Sequence, residues 1–91
     1  MKYCFRAAKS FRRALAKLTP EQRRSAAAAF KIFKQNPFDP RLRPHKIHKL
    51  SALYGKTIHA VEIGANLRAV FYIEGNVVWS VDVGAHRIYR G

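Results

Sequence analysis

Between residues 58 and 83 the chain alternates in three runs separated by turn residues. A period of two marks strands with one face turned to a core. In the first run His59, Val61 and Ile63 share a side opposite Ile58, Ala60 and Glu62. In the second, Arg68, Val70 and Tyr72 oppose Ala69, Phe71 and Ile73. In the third, Val77, Trp79, Val81 and Val83 oppose Val78, Ser80 and Asp82. Gly64-Ala65-Asn66 and Glu74-Gly75-Asn76 are tight-turn sequences, so the three strands are antiparallel neighbours. The alternation predicts an apolar face, with Phe71 and Trp79 in the core. It also predicts a mixed outward face showing Arg68, Tyr72, Ser80, Asp82 and Glu62.

The N-terminal half supplies a cover for the apolar face. Residues 2–6 alternate loosely and read as a first strand. From about Ala8 the spacing becomes helical, with Phe11, Leu15 and Leu18 at i, i+4 and i+7 and Lys9, Arg12, Arg13 and Lys17 on the other face. Thr19-Pro20-Glu21-Gln22 reads as a capping box with proline at the first helical position. The helix it starts runs to about Gln35, with Ala26, Ala27, Phe30 and Phe33 as its stripe, and Asn36-Pro37 ends it. The expected class is α+β. An N-terminal strand and an antiparallel helix hairpin pack on one face of a small, twisted, mainly antiparallel sheet, in the order β-α-α-β-β-β. At 91 residues this is a single domain, residues 1–91, with a modest core.

Residues 37–50 read as a loop punctuated by Pro37, Pro40 and Pro44, holding Arg41, Arg43, His45, Lys46, His48 and Lys49. Proline keeps such a segment extended and presents its charges to solvent. The first fifty residues hold 14 of the 18 Lys and Arg against Glu21 and Asp39 alone, within a formal net charge of +13. Charge this lopsided implies a polyanionic partner, nucleic acid or a strongly acidic protein. The proline segment then reads as a nucleic-acid-facing flap. The apolar runs at residues 26–30 and 69–73 are far shorter than a membrane span, and the first six residues lack a secretory apolar region. One cysteine, Cys4, permits neither an internal disulfide nor a thiolate zinc cluster, and the four histidines match no metal-ligand spacing. No cofactor and no metal are expected, and the expected location is the reducing cytoplasm.

Three pieces of sequence carry a resemblance. They are Leu50-Ser51-Ala52-Leu53-Tyr54-Gly55, Ile63-Gly64-x-Asn66-Leu67-Arg68-Ala69, and Val83-Gly84-Ala85-His86-Arg87-Ile88-Tyr89-Arg90. In that order, after a strand, a helix hairpin and a basic loop, they resemble the RelE/ParE superfamily of toxins from type II toxin–antitoxin systems, over nearly the whole chain. The resemblance implies a toxin with a cognate acidic or amphipathic antitoxin that wraps it. Many members cut mRNA, often in the ribosomal A site, while others inhibit DNA gyrase without cutting RNA. Carried over by position, Arg68 resembles the strand arginine on the scissile phosphate, His86 the C-terminal acid, and Tyr89 the terminal aromatic that orients a base. The loop cations Arg41, Arg43, His45, Lys46, His48 and Lys49, with Arg87 and Arg90, would bind RNA. Glu62 stands where many members have a basic residue.

These residue types suit metal-free RNA cleavage. The 2′-hydroxyl attacks the adjacent phosphorus, so the protein must supply a base, cations for the phosphorane and an acid for the departing 5′-oxygen. Acid–base help contributes roughly 10²–10⁴-fold, and positioned charge often contributes more. Arg68 can clamp a phosphate bidentately, and the His86 imidazole can hold and release a proton near neutrality. Tyr89 can stack on a splayed base. The base is Glu62, or failing that His48 or a loop lysine. Each residue also has a structural role open to it. Arg68 can pair with Glu62 or Asp82 across the meander, His86 can end the sheet, and Tyr89 can pack over an apolar edge. His59 reads as a core histidine. The expected function is therefore an mRNA endonuclease toxin that works on the ribosome and inhibits translation. The alternatives are a ParE-like toxin that binds gyrase without enzymatic activity, and a basic interaction module whose catalysis has decayed.

Overall fold

The three alternating runs form the centre of a five-stranded sheet in the computed structural model, which describes residues 2–64 and 66–85. Cys4–Ala7 is β1, His45–Lys46 is β2, His59–Gly64 is β3, Leu67–Glu74 is β4 and Val77–Ala85 is β5. They lie side by side in the order β1-β5-β4-β3-β2. The meander β3-β4-β5 is antiparallel, and β2 adds antiparallel to β3. β1 joins β5 in parallel, which its long connection through helices permits. Three helices complete the chain: α1, Lys9–Ala16; α2, Pro20–Gln35; and α3, His48–Tyr54. The α+β class and the order of the main elements are those expected. The first strand lies slightly later than residues 2–6. No helix among the described residues is long and apolar enough to cross a membrane.

Local chemistry sets the helix hairpin. The Thr19 hydroxyl accepts from the Gln22 amide at 3.1 Å, and the Gln22 side chain accepts from the Thr19 amide at 2.9 Å. Two otherwise orphaned N–H groups are thereby satisfied at the start of α2. Arg23 then donates to the Ala16 carbonyl at 2.9 Å, tying α2 back to the end of α1. The pair buries Phe11, Leu18, Ala26 and Phe33 against Val61, Ile63, Ala69, Phe71, Val78 and Val83 of the sheet. Phe33 meets Phe71 edge-on at 5.0 Å between ring centres and Phe5 at 5.4 Å, geometry that aromatic quadrupoles favour. Ala27, expected in the stripe, is exposed.

Three expectations change. First, β5 does not alternate cleanly. Its pairing with β4 passes from Val70↔Asp82 to Phe71↔Ser80 and skips Val81, a bulge that reverses the parity of the strand. Val78 and Ser80 therefore face the helices on one side of the bulge, and Val83 does so on the other. Ser80, expected outward, is buried at 8% exposure, while Trp79, expected in the core, pairs with Tyr72 on the outward side and is half-buried. Second, residues 37–50 are not a bare loop. Pro40–Leu42 forms a 3-10 turn capped by Asp39, β2 follows, and α3 begins at His48. Pro37 and Leu42 are buried, which pins the segment to the fold. Third, the outward face is not wholly open. Ile58, Ala60, Val70 and Val81 form a second buried cluster, with Ile47 and Leu50 packed on it from the start of α3.

His59 sits on the helix side of β3, as expected of a core histidine. Its ring stacks on Phe71 at 5.3 Å and meets Phe38 edge-on at 5.2 Å. Burial, with Lys46 nearby, lowers its pKa below the usual 6.5. The unfolded chain thus binds this proton more readily than the folded one, so the stability linked to His59 is complete above pH 6.5 and is lost as the pH falls through the lower folded value. Hydrogen bonds from Arg41 hold the pKa of half-buried Asp39 down to about 2 against 3.8, so its window lies at much lower pH. Urea midpoints should fall between pH 7.5 and pH 5.5 for the parent chain and fall less for His59→Phe. Equal falls would remove His59 as the cause.

Candidate functional site

Arg68 is the second residue of β4, and the register determines its surroundings. Across the ladder it faces Glu62 on β3 and Gly84 on β5, so one flank carries a carboxylate and the other has no side chain. Its side chain is only 18% exposed, against 34% for Glu62. The closest guanidinium nitrogen lies 3.8 Å from Glu62 Oε2, beyond the range of a charge-assisted hydrogen bond. Arg68 Nε is buried and has no hydrogen-bond partner among the described residues. Leaving such a donor unmade costs on the order of 1–3 kcal/mol, a cost that an incoming anionic oxygen would remove.

The same face carries other polar groups. Opposed residues of an antiparallel pair point to one side, so His45, opposite Ala60, shares the side of Glu62 and Arg68. His45 Nδ1 lies 3.1 Å from the Arg43 carbonyl, which orients the ring and leaves Nε2 for another partner. The Val81 bulge returns Asp82 to this side, where its carboxylate accepts from the Val83 amide at 2.8 Å. Between these groups the dry cluster under α3 forms an apolar floor.

The remaining sequence-derived candidates divide by position. His48 and Lys49 are exposed in the first turn of α3, and Arg43 is exposed in a left-handed conformation, φ 50°, after the 3-10 turn. Arg41 is exposed but donates twice to the Asp39 carboxylate, at 3.0 and 2.8 Å, which raises the Arg41 pKa. Lys46 lies opposite His59, on the helix side of the sheet. His86, Arg87, Tyr89 and Arg90 lie outside the described residues. The last described pair of β4 and β5 is Leu67↔Ala85, next to the Arg68↔Gly84 pair. Among the described residues no three His, Cys, Asp or Glu side chains gather closely enough to hold a metal ion. Sequence reasoning missed α3, whose signals were Ile47 and Leu50 at helical spacing and Gly55, which ends the helix at φ 66°. It also missed that Gly84 faces Arg68.

No protein-family model and no curated protein matches the chain. Among solved structures, a chain of the archaeal RelE–RelB complex from Pyrococcus horikoshii superposes with a TM-score of 0.68 at 14% identity, over 93% of this chain and 96% of that one. The fold is RelE-like. A copper-bound mutant toxin from Helicobacter pylori also matches, with a TM-score of 0.58 at 17% identity over 94% and 97% of the two chains. The RelE-like fold thus accounts for nearly all of the sequence. It places Arg68 and Glu62 side by side on the sheet face that α1 and α2 do not cover.

If Arg68 serves a ligand rather than the sheet, removing it should not weaken the fold. Arg68→Met takes away an unsatisfied donor and leaves Glu62 partly solvated. Its unfolding free energy, measured in urea, should stay within about 1 kcal/mol of the parent. A loss above about 3 kcal/mol would mark the pair with Glu62 as structural.

Proposed function

We propose that the protein is the toxin of a type II toxin–antitoxin pair and inhibits translation by cutting mRNA on the ribosome, without a metal, in the cytoplasm. The observation that supports this most is the buried, unpartnered Nε of Arg68, held beside Glu62 on the outward face of a RelE-like fold. An arginine so placed can offer its two terminal guanidinium nitrogens to two phosphate oxygens. Glu62 is then close enough to remove the proton of the neighbouring 2′-hydroxyl. As the 2′-oxygen bonds to phosphorus, the bond to the 5′-oxygen breaks, leaving a 2′,3′-cyclic phosphate and a 5′-hydroxyl. His86 gives its proton to that leaving oxygen, and Tyr89 stacks on the base beside the cut.

The cations around this face do the binding. Arg43, His45, His48 and Lys49 are exposed and, with Arg41, Arg87 and Arg90, hold the flanking phosphates; Lys46, on the helix side of the sheet, does not share this face. Affinity should therefore fall steeply with salt, because each neutralised phosphate releases counterions. The Glu62 contact favours one other reading, in which Arg68 is neutralised within the sheet and the chain is a basic module that binds without cutting.

Defined mRNA, incubated with and without ribosomes and mapped for new 5′ ends, separates these readings. Discrete cuts are expected, reduced at least about 10²-fold in Arg68→Ala and strongly slowed in His86→Ala. Intact RNA with inhibited DNA supercoiling would point instead to a gyrase-binding toxin. Intact RNA, unaffected supercoiling and salt-sensitive binding would leave the interaction module.

A further inference from the structure

The outward face continues past the dry cluster under α3. Tyr72 lies on the same face of β4 as Arg68, about 13 Å along the strand at a rise of ~3.3 Å per residue. The ladders set Tyr72 opposite Trp79 on β5, and Trp79 beside Arg6 on β1. Residues paired across a ladder point to one side, so Arg6, Trp79 and Tyr72 form a row across three strands. Lys56 closes the far end of this row. Its ammonium lies 4.9 Å from the centre of the Tyr72 ring and is ion-paired with Glu74.

The row differs from the rest of the sheet in what covers it. Tyr72 packs against the edge of the dry cluster, whereas Trp79 belongs to neither buried cluster and is half-buried. Arg6 is exposed and makes no ion pair among the described residues. Glu74, the acid next along β4 on this face, is taken up by Lys56. Lys56 also caps the Tyr72 ring, so Trp79 is the open member of the row, with a cation on each flank. A cross-strand pair of aromatic rings steadies a sheet by itself, but it needs neither cation. An indole between two positive charges suits a ligand that repeats a planar face and a negative charge along its length. Single-stranded nucleic acid has that chemistry, and its bases stack on aromatic side chains of open sheets.

We propose that Trp79, flanked by Arg6 and by Tyr72 under Lys56, is a stacking subsite for a base of single-stranded RNA. Arg6 and Lys56 hold the phosphates on either side of that base. The distance from Arg68 makes it a base of the flanking strand rather than the one at the cut. Stacking of this kind accepts any base, so the subsite adds affinity without sequence preference. The proposal deepens the mRNA-cutting reading and rests on it only in having one strand reach both places.

Trp79 is the single tryptophan of the chain, so its fluorescence reports the subsite directly. The probe is a short 2′-O-methyl oligoadenylate, which has no free 2′-hydroxyl to attack phosphorus and so stays whole. Inorganic polyphosphate and polyglutamate carry the charge without a base. Saturable quenching by the oligonucleotide alone is expected. By anisotropy of the labelled oligonucleotide, Trp79→Leu should weaken binding about fivefold or more, and Trp79→Phe should restore most of it. Arg6→Gln should weaken binding and flatten its salt dependence. Circular dichroism establishes that each variant is folded; should Trp79→Leu fail to fold, quenching of the parent and the Arg6→Gln titration still decide. Absence of quenching, equal quenching by polyphosphate or polyglutamate, or parental affinity in folded Trp79→Leu would overturn the proposal. At saturation Arg68→Met should be quenched as the parent is. RNA cut without quenching would therefore remove the subsite alone, and quenching without cutting would remove only the endonuclease.

Discussion

Burial of β4 on both faces is the constraint from which the rest of the structure follows. Phe71 looks toward α2 and is fully buried, and Val70 looks the other way and is 2% exposed. A strand dry on both sides needs a cover on each. The helix hairpin α1–α2 provides one through Phe11, Ala26 and Phe33, and α3 provides the other through Leu50. Only where α3 stops short does the outward face turn polar, and Arg68 and Glu62 occupy that place. The site adjoins the dry cluster of Ile58, Ala60, Val70 and Val81, which explains how an arginine so little exposed still faces outward.

Much of this arrangement was legible in the sequence, and the reasons differ by element. The capping box at Thr19 and Gln22 uses only neighbours in sequence, so its signal is complete within four residues. The meander was legible because period two and two short turns leave one way to pair. β5 was misread on Ser80 and Trp79, because a one-residue bulge at Val81 inverts the alternation and valines occur on both sides. The short helix α3 was hidden by its cationic surroundings: three prolines and a run of Arg, His and Lys read as extended loop. Its apolar residues make sense only against Val70 and Val81, far away along the chain.

The candidate site was legible in part. Arg68 and Glu62 on one face follow from strand parity alone, and their adjacency needs only the turn at residues 64–66. That His45 joins them depends on β2, a two-residue strand that no local pattern announces. Opposite faces of the same sheet also carry different chemistry. The outward side mixes acids with cations beside an apolar floor, whereas the β1 side surrounds aromatic rings with cations alone among the described residues. The strong positive balance of the first fifty residues therefore does not serve a single surface. Arg12 and Lys34 edge a phenylalanine-lined cavity on the helix side of β1, while Arg43, His45, His48 and Lys49 crowd the other end of the sheet.

The parallel seating of β1 on β5 has a consequence for how the chain comes to exist. Cys4 and Val77 are partners about seventy residues apart, and contacts so distant form late. As synthesis proceeds from the N-terminus, the first strand and both hairpin helices emerge with more than half of the lysines and arginines and no sheet to close upon. The fold can complete only after the final strand has cleared the tunnel. Until β5 has emerged, β1 has no partner and Arg68 lacks its Gly84 flank, a delay that follows from topology alone.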